Sequence, residues 1–453
     1  MKAKKYEIDM CNGSVFRKML LFAIPLMCSG VLQLLFNAAD IIVVGRFAGD
    51  NSLAAVGANS SLINLLTNIF IGLSVGANVL VAQYYGAKKD KELRVTVHTS
   101  MLLSVISGLI LTVVGLVFAK PILELMQTPE EIIDLAALYL RVYFLGMTST
   151  MIYNFGSAIL RAVGDTKRPL YYLLLAGVIN VVLNLIFVIC FHMDVAGVAL
   201  ATAISQTVSA ILVVRCLMRE EGAIHLDLKA LAIDKDKFLR IVQIGLPAGF
   251  QGMVFSLSNV VIQSAVNGFG NIVVAGNSAG LNIEGFVYIA MNAFYQATIS
   301  FTSQNYGARN MQRIRKIALA GELYVLITGA VLGNLMVLFG RELLGIYSTS
   351  AEVIDAGMLR LEIIGTTYAL CGMMDVLVGA LRGIGKSVMP MIVSLLGACG
   401  LRLLWIATVF QIPEYHSTRT IYISYPITWT ITLSVHAICL IYSWVKLIRQ
   451  WKE

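Results

Sequence analysis

"ALRGIGKS", Ala380 to Ser387, can be read in two ways, and the fold turns on which is right. A small residue, four spacers and Gly-Lys-Ser approach the phosphate-cradling pattern G-x-x-x-x-G-K-[ST]. A true phosphate loop follows a β-strand and opens a helix, so that backbone N–H groups and the helix dipole face the phosphates. Here the preceding "YALCGMMDVLVG" is the end of an apolar helical run, and Ala380 stands where the first glycine belongs. An equivalent stretch, "ILRAVGDT" at 159–166, has no Gly-Lys-Ser at all. The stretch therefore reads as a tight turn between helices. Gly ends one helix, Arg382 anchors at phospholipid head groups, and Pro390 starts the next. No nucleotide is expected, and energy for any transport would come from an ion gradient or the substrate's own gradient.

The twin turns belong to a longer repeat. "LRAVGDTKRP" at 160–169 aligns with "LRGIGKSVMP" at 381–390, and "QYYGA" at 83–87 with "QNYGA" at 304–308, both shifted by 221. "AIPLMCSGVLQLLFN" at 23–37 parallels "GLPAGFQGMVFSLSN" at 245–259, matching Pro25, Gly30 and Asn37 with Pro247, Gly252 and Asn259. Three matches in one order imply two homologous halves.

Composition sets what those halves are made of. The chain is 58% hydrophobic and 13% charged over 453 residues, against about 25% charged in soluble domains. So little polar surface predicts an all-α polytopic membrane protein. Apolar runs of spanning length lie near 17–44, 55–84, 95–119, 134–160, 169–191 and 195–217. A second set lies near 238–265, 273–303, 316–339, 355–381, 388–410 and 420–446. That makes twelve transmembrane helices in two six-helix lobes, 1–217 and 238–453, joined by a polar cytoplasmic linker at 218–237. With an even number of spans per lobe, the pseudo-twofold axis runs along the membrane normal. Transporters so built place substrate between their halves and rock around it.

Lys and Arg gather in alternate loops: 88–94, 161–168, 215–240, 309–316, 382–386 and both termini. The intervening loops at 47–50, 128–131, 192–194, 348–355 and 411–416 have none. This alternation places both termini in the cytoplasm. It also explains the net charge of +8 without a nucleic-acid partner, since the bases form no continuous patch. The polar start of the chain does not resemble a cleaved signal. The seven scattered cysteines form no C-x-x-C pair and read as core residues, with no metal site.

Few charged groups lie inside the spans, and each is costly there. Gln33, Asn37 and Asp40 follow i, i+4, i+7, a polar stripe ending in a carboxylate. The repeat position of Asp40 is Ile262, so the carboxylate belongs to one half only. It is either a proton or Na⁺ site, or a carboxylate near the helix end satisfied by a cap or by Arg46. Asn180 and Asn184 sit i, i+4 on the fifth span, with Asn180 ~16 Å past Pro169. They either complete an ion shell with Asp40 or bond helices together. Asn64, Asn68 and Asn78 on the second span line a cavity or bond between helices. The second half has Glu284, Asp375 and Arg402, with Arg402 as the one base placed at depth. These form either a second coupling or cation-recognition site or a buried ion-pair network. Nineteen methionines, with aromatics such as Phe294, Tyr295 and Tyr368, suit an adaptable apolar cavity.

The ordered set of "FNAADIIVVGRFAG" after Pro25, the "QYYGA"/"QNYGA" pair, "LRAVGDTKRP" before an Asn-rich span, and "MDVLVGALRGIGKS" resembles multidrug and toxic compound extrusion (MATE) transporters. The similarity runs from Arg17 to Lys446, within a larger group that includes lipid-linked oligosaccharide flippases. The resemblance implies a monomeric exporter of organic cations or drugs in the bacterial inner membrane. It would be driven by H⁺ or Na⁺ through alternating access, without an organic cofactor or enzymatic activity. It makes Asp40 the acid of the first lobe, with Asn154 and Asn180 as polar partners and Na⁺ or H⁺ as its ion. Pro25 becomes the bending point of the first helix, and Gln33, Asn37, Asn64, Asn68, Gln251 and Asn259 the cavity lining. Two departures stand out. Asn184 sits where one branch has a second aspartate, and Phe255 or Gln251 where another has a glutamate. The alternative reading, a flippase for a lipid-linked precursor, would need several deep cations.

Overall fold

The computed structural model describes residues 6–452, and every long element in it is helical. The first half runs through α1 (Val15–Phe47), α2 (Asp50–Gly86), α3 (Asp90–Leu125), α4 (Glu130–Leu145), α5 (Met147–Ala162), α6 (Lys167–Leu185) and α7 (Asp194–Arg219). The second runs through α8 (Lys235–Asn267), α9 (Asn271–Gly307), α10 (Met311–Leu338), the short α11 (Gly340–Gly345), α12 (Ala351–Gly383), α13 (Val388–Ser394), α14 (Leu401–Ala407) and α15 (Thr418–Lys452). Among the described residues eleven helices are long and apolar enough to cross a bilayer, and α4 with α5, bent by 46°, supplies a twelfth span. The bend falls at Gly146, where an added Cβ would sit 2.7 Å from the Ala203 backbone. A glycine there lets α5 pass close to α7. Large apolar side chains such as Val113, Val117, Leu338, Leu396 and Ile438 stay exposed along the spans, as lipid-facing positions should.

The repeat reappears in the backbone. α2 and α9 are each 37 residues long. Positive φ recurs at Gly49 and Gly270, at Lys88 and Arg309, and at Gly164 and Gly385, each pair 221 apart. Both halves of the opening motif close with the same turn. Gly164 N–H donates to the Arg161 carbonyl at 3.0 Å and Asp165 N–H to Leu160 at 2.9 Å. Gly385 N–H donates to Arg382 at 2.8 Å and Lys386 N–H to Leu381 at 2.9 Å. These N–H groups satisfy orphan carbonyls at a helix end. They are bonded within the chain, and the stretch follows helix α12 rather than a strand.

By packing, the chain forms two compact units. One comprises Cys28–Gly249 with the residues up to Asp9, the other Met10–Met27 with Phe250 onward. The change of unit inside α1 comes two residues after Pro25, and inside α8 two residues after Pro247. α1 and α8 continue unbroken through these prolines.

In the first unit α2 meets α8 on paired small residues, Gly72 and Gly76 against Gly245 and Gly249. An added Cβ on Gly72 would lie 2.2 Å from Gly249 N, and one on Gly76 2.3 Å from the Ile241 carbonyl oxygen. Such G-x-x-x-G contacts bring backbones together where no hydrophobic force separates lipid from helix. The linker docks on α3, where Asp227 N–H donates to His98 Nε2 at 3.1 Å and Asp234 N–H to Thr99 Oγ1 at 3.1 Å. In the second unit Arg313 of α10 fixes the segment before α1. Its guanidinium donates to the carbonyls of Met10, Asn12 and Gly13 at 2.8, 2.9 and 2.8 Å.

Candidate functional site

In the first unit the polar positions of α1, α6 and α7 form one hydrogen-bonded chain. Asn184 Nδ2 donates to Asp40 Oδ1 and, at 3.2 Å, to Asn180 Oδ1. Asn180 Nδ2 donates to Thr202 Oγ1 at 3.2 Å, and Thr202 closes onto the Val198 carbonyl at 3.1 Å. The i, i+4 spacing on α6 aims both amides the same way, and Gly177, where a Cβ would collide with Phe36, lets α6 close on α1. Asp40 is half-buried, while Asn184 is fully buried and Asn180 nearly so.

The chain ends on an unmet requirement. Asn184 Oδ1 is buried and accepts nothing. An orphaned buried acceptor costs about 1–3 kcal/mol. Here it sits on the amide whose NH2 already donates to the Asp40 carboxylate and to the Asn180 amide oxygen, so that amide has acceptor oxygens for both its partners while its own oxygen stays unfilled. A proton on Asp40 or a hard cation such as Na⁺ would meet that excess. Immediately beyond Asn184 the helix loosens into a π segment, Ile186–Cys190, a distortion frequent at functional sites.

The other expected residues divide. Asn154 is half-buried on α5 and lies outside this hydrogen-bonded chain. Gln33, Asn37, Asn64 and Asn259 are exposed, and Asn68 is half-buried. Asn78 instead bonds the Ala158 carbonyl at 2.8 Å, tying α2 to α5. Gln251 is buried in the second unit and accepts from Arg382 Nη2 at 2.7 Å.

In the second unit Glu284, Asp375 and Arg402 do not bond one another. Glu284 takes a bidentate pair from Arg360, Nε to Oε1 and Nη2 to Oε2, both at 2.8 Å. Arg360 Nη1 also donates to Asn277 Oδ1 at 3.0 Å, which accepts from the Tyr422 hydroxyl at 3.2 Å. Asn277 in turn donates to Gln263 at 2.9 Å. Asp375 accepts from the Tyr288 hydroxyl at 3.3 Å. Arg402 has one hydrogen bond, Nη2 to Thr428 Oγ1 at 2.9 Å, and its Cζ lies 3.9 Å over the Tyr425 ring.

The expectation of a single deep base is therefore corrected: Arg360 is a second. It lies only five residues inside the apolar run read from sequence, but α12 starts at Ala351, so it is ~13 Å into the helix. Glu322 was missed for the same reason. It sits ~16 Å into α10, and both carboxylate oxygens are buried without a partner. Groups of three or more His, Cys, Asp or Glu able to hold a metal do not occur among the described residues.

Known proteins share this architecture and part of this sequence. The MatE family profile matches residues 25–186 and 247–407, one stretch in each half. The chain is 28% identical over 449 residues to "Probable multidrug resistance protein YoeA" of Bacillus subtilis, covering 97% of this chain and 95% of the relative. It is 23% identical over 376 residues to an "FAD transporter" of Shewanella oneidensis, covering 81% and 82%. A solved structure described as the outward-facing conformation of a multidrug resistance MATE family transporter of the MOP superfamily superimposes with a TM-score of 0.92 at 22% identity. The match covers 99% of this chain and all of that one, and it bears on the fold alone. With twelve spans, an internal repeat and a profile match in both halves, the chain belongs to the MatE family of multidrug and toxic compound extrusion transporters.

Proposed function

We propose that the chain is a secondary antiporter exporting amphipathic organic compounds, cations among them, in exchange for H⁺ or Na⁺. The carrying observation is the chain Asp40–Asn184–Asn180–Thr202 with its orphaned Asn184 Oδ1. A charged Asp40 accepts from the Asn184 amide. A protonated Asp40 becomes a donor, and a flip of the same amide offers it Oδ1. A bound Na⁺ draws on the same oxygens without a flip. Either ion removes the charge that holds α1 to α6 here. The coupling event is thus a change in how the α1 segment after Pro25 is held, which suits alternating access about that proline.

The names of relatives support drug export as the direction, and the FAD-named relative points to cargo variety within the group. Bacterial relatives support an inner-membrane setting, and the Lys/Arg loop bias places both termini in the cytoplasm. The protein acts as a monomer, in keeping with a substrate path within one chain. The test is efflux from proteoliposomes with pH and Na⁺ gradients imposed separately. One of the two gradients should drive export by the parent, and Asp40→Asn should abolish the gradient's effect. Equal export by Asp40→Asn would overturn the role of Asp40.

A further inference from the structure

Arg402 is a charge the second unit leaves unanswered. The residue is 3% exposed, and its Nε is buried without a partner. The two acids expected to accompany it are engaged elsewhere: Glu284 is taken bidentately by Arg360, and Asp375 accepts from the Tyr288 hydroxyl. Among the described residues no carboxylate lies within ion-pair distance of Arg402. Its surroundings are aromatic instead. Tyr425 lies face-on at 3.9 Å, with the Trp429 ring 5.9 Å away, and Tyr425 also faces Arg360 at 5.5 Å.

The backbone turns Arg402 toward that wall. A π segment, Leu395–Gly400, ends two residues before it, and the extra residue in that turn changes the face on which everything beyond it points. The π turn packs on α15, where Gly397 leaves no room for a Cβ beside Thr432. Tyr425, the ring that covers the guanidinium, is itself only half-buried.

We propose that Arg402, with Thr428 and the Tyr425–Trp429 wall, is a recognition site for an oxyanion carried on an aromatic compound: a carboxylate, sulfonate or phosphate. Nε and the remaining N–H groups of a guanidinium suit a planar or tetrahedral oxyanion, and the rings take the flat apolar part. The inference rests on the transport reading for its purpose and widens the cargo from cations to compounds bearing an anionic group. It does not depend on which ion drives transport.

Equilibrium dialysis of the full-length protein in neutral detergent tests it, with radiolabelled 2-naphthoate, its neutral amide and the naphthylmethylammonium cation as probes. The parent should hold the carboxylate at least tenfold more tightly than the amide and the cation. Arg402→Gln should erase that preference, and Arg402→Lys should keep part of it, since the charge remains but the fork is lost. Naphthoate should raise the Tm of the parent and leave that of Arg402→Gln unmoved. Should Arg402→Gln not fold, the parent's probe preference and the Lys variant decide. Competition by phosphatidylglycerol would assign the oxyanion to a lipid headgroup, and its absence to a soluble compound. Equal binding of the three probes by the parent, or an undiminished preference in Arg402→Gln, would overturn the proposal. Dialysis needs no gradient, so this failure is separable from a failure of ion-driven export.

Discussion

Replacing Glu284 by Gln should be among the most damaging single changes in the second unit, although it removes no atom of bulk. The side chains of Glu284 and Arg360 are 5% and 3% exposed, so solvent does not screen their attraction. The variant replaces a doubly charge-assisted pair by a single hydrogen bond from the guanidinium to a neutral amide oxygen, and leaves Arg360 as a buried, unneutralised cation. Breaking such a pair from one side costs about 3–5 kcal/mol. The context argues for the upper part of that range. Arg360 and Arg402 face the same Tyr425 ring at 5.5 and 3.9 Å, so losing Glu284 leaves two cations across one aromatic side chain. Asn277 and Tyr422 keep Arg360 in place and stop it from turning toward solvent. The assay is a double-mutant cycle by thermal unfolding in detergent, with Glu284→Gln, Arg360→Met and both together. Each single variant should be strongly destabilised. The pair should recover much of the loss, because a neutral pair no longer strands a charge. If Glu284→Gln cost less than about 1 kcal/mol, the value of an exposed pair, the claim that this pair is desolvated and structural would fail.

Three further outcomes follow from the packing. Gly76→Leu should abolish monodisperse protein in size-exclusion chromatography, because its side chain would enter the α8 backbone, whereas Gly285→Ala, with nothing within 4 Å, should behave as the parent. Arg313→Ala removes three hydrogen bonds to residues 10–13, so amide exchange there should rise while exchange in α3 stays unchanged. Glu322→Leu should raise the Tm by relieving a buried carboxylate with no partner on either oxygen; a lower Tm would mean that the carboxylate is paired in solution.

The sequence carried the architecture because its signals are long-range and redundant. Spans follow from apolar length, and the 221-residue repeat recurs as positive-φ pairs at 49/270, 88/309 and 164/385. Asp40 and its two asparagines were legible because helical spacing alone places Asn180 and Asn184 on one face. The partners in the second unit were not. Arg360 pairs with Glu284 across 76 residues, and no local spacing encodes which of several cations a carboxylate meets. Hydropathy also trims helix ends: the apolar runs begin at 316 and 355, so Glu322 and Arg360 lie nearer a span end there than in α10 and α12, where they are two to three turns inside. The π segments before Arg402 and after Asn184 have no sequence signature in a single chain, yet they help set where those side chains point.

If Asp40 exchanges an ion for cargo, the most direct measurement is counter-ion flux itself. Proteoliposomes would carry either an internal pH dye or radiolabelled Na⁺, and substrate would be added without an imposed gradient. Addition of substrate should move one of the two ions in the parent. Asp40→Asn should move neither while still binding substrate, and Asn184→Leu, which removes the amide Asp40 leans on, should weaken the flux. Substrate-driven ion movement of parental size in Asp40→Asn would contradict the account.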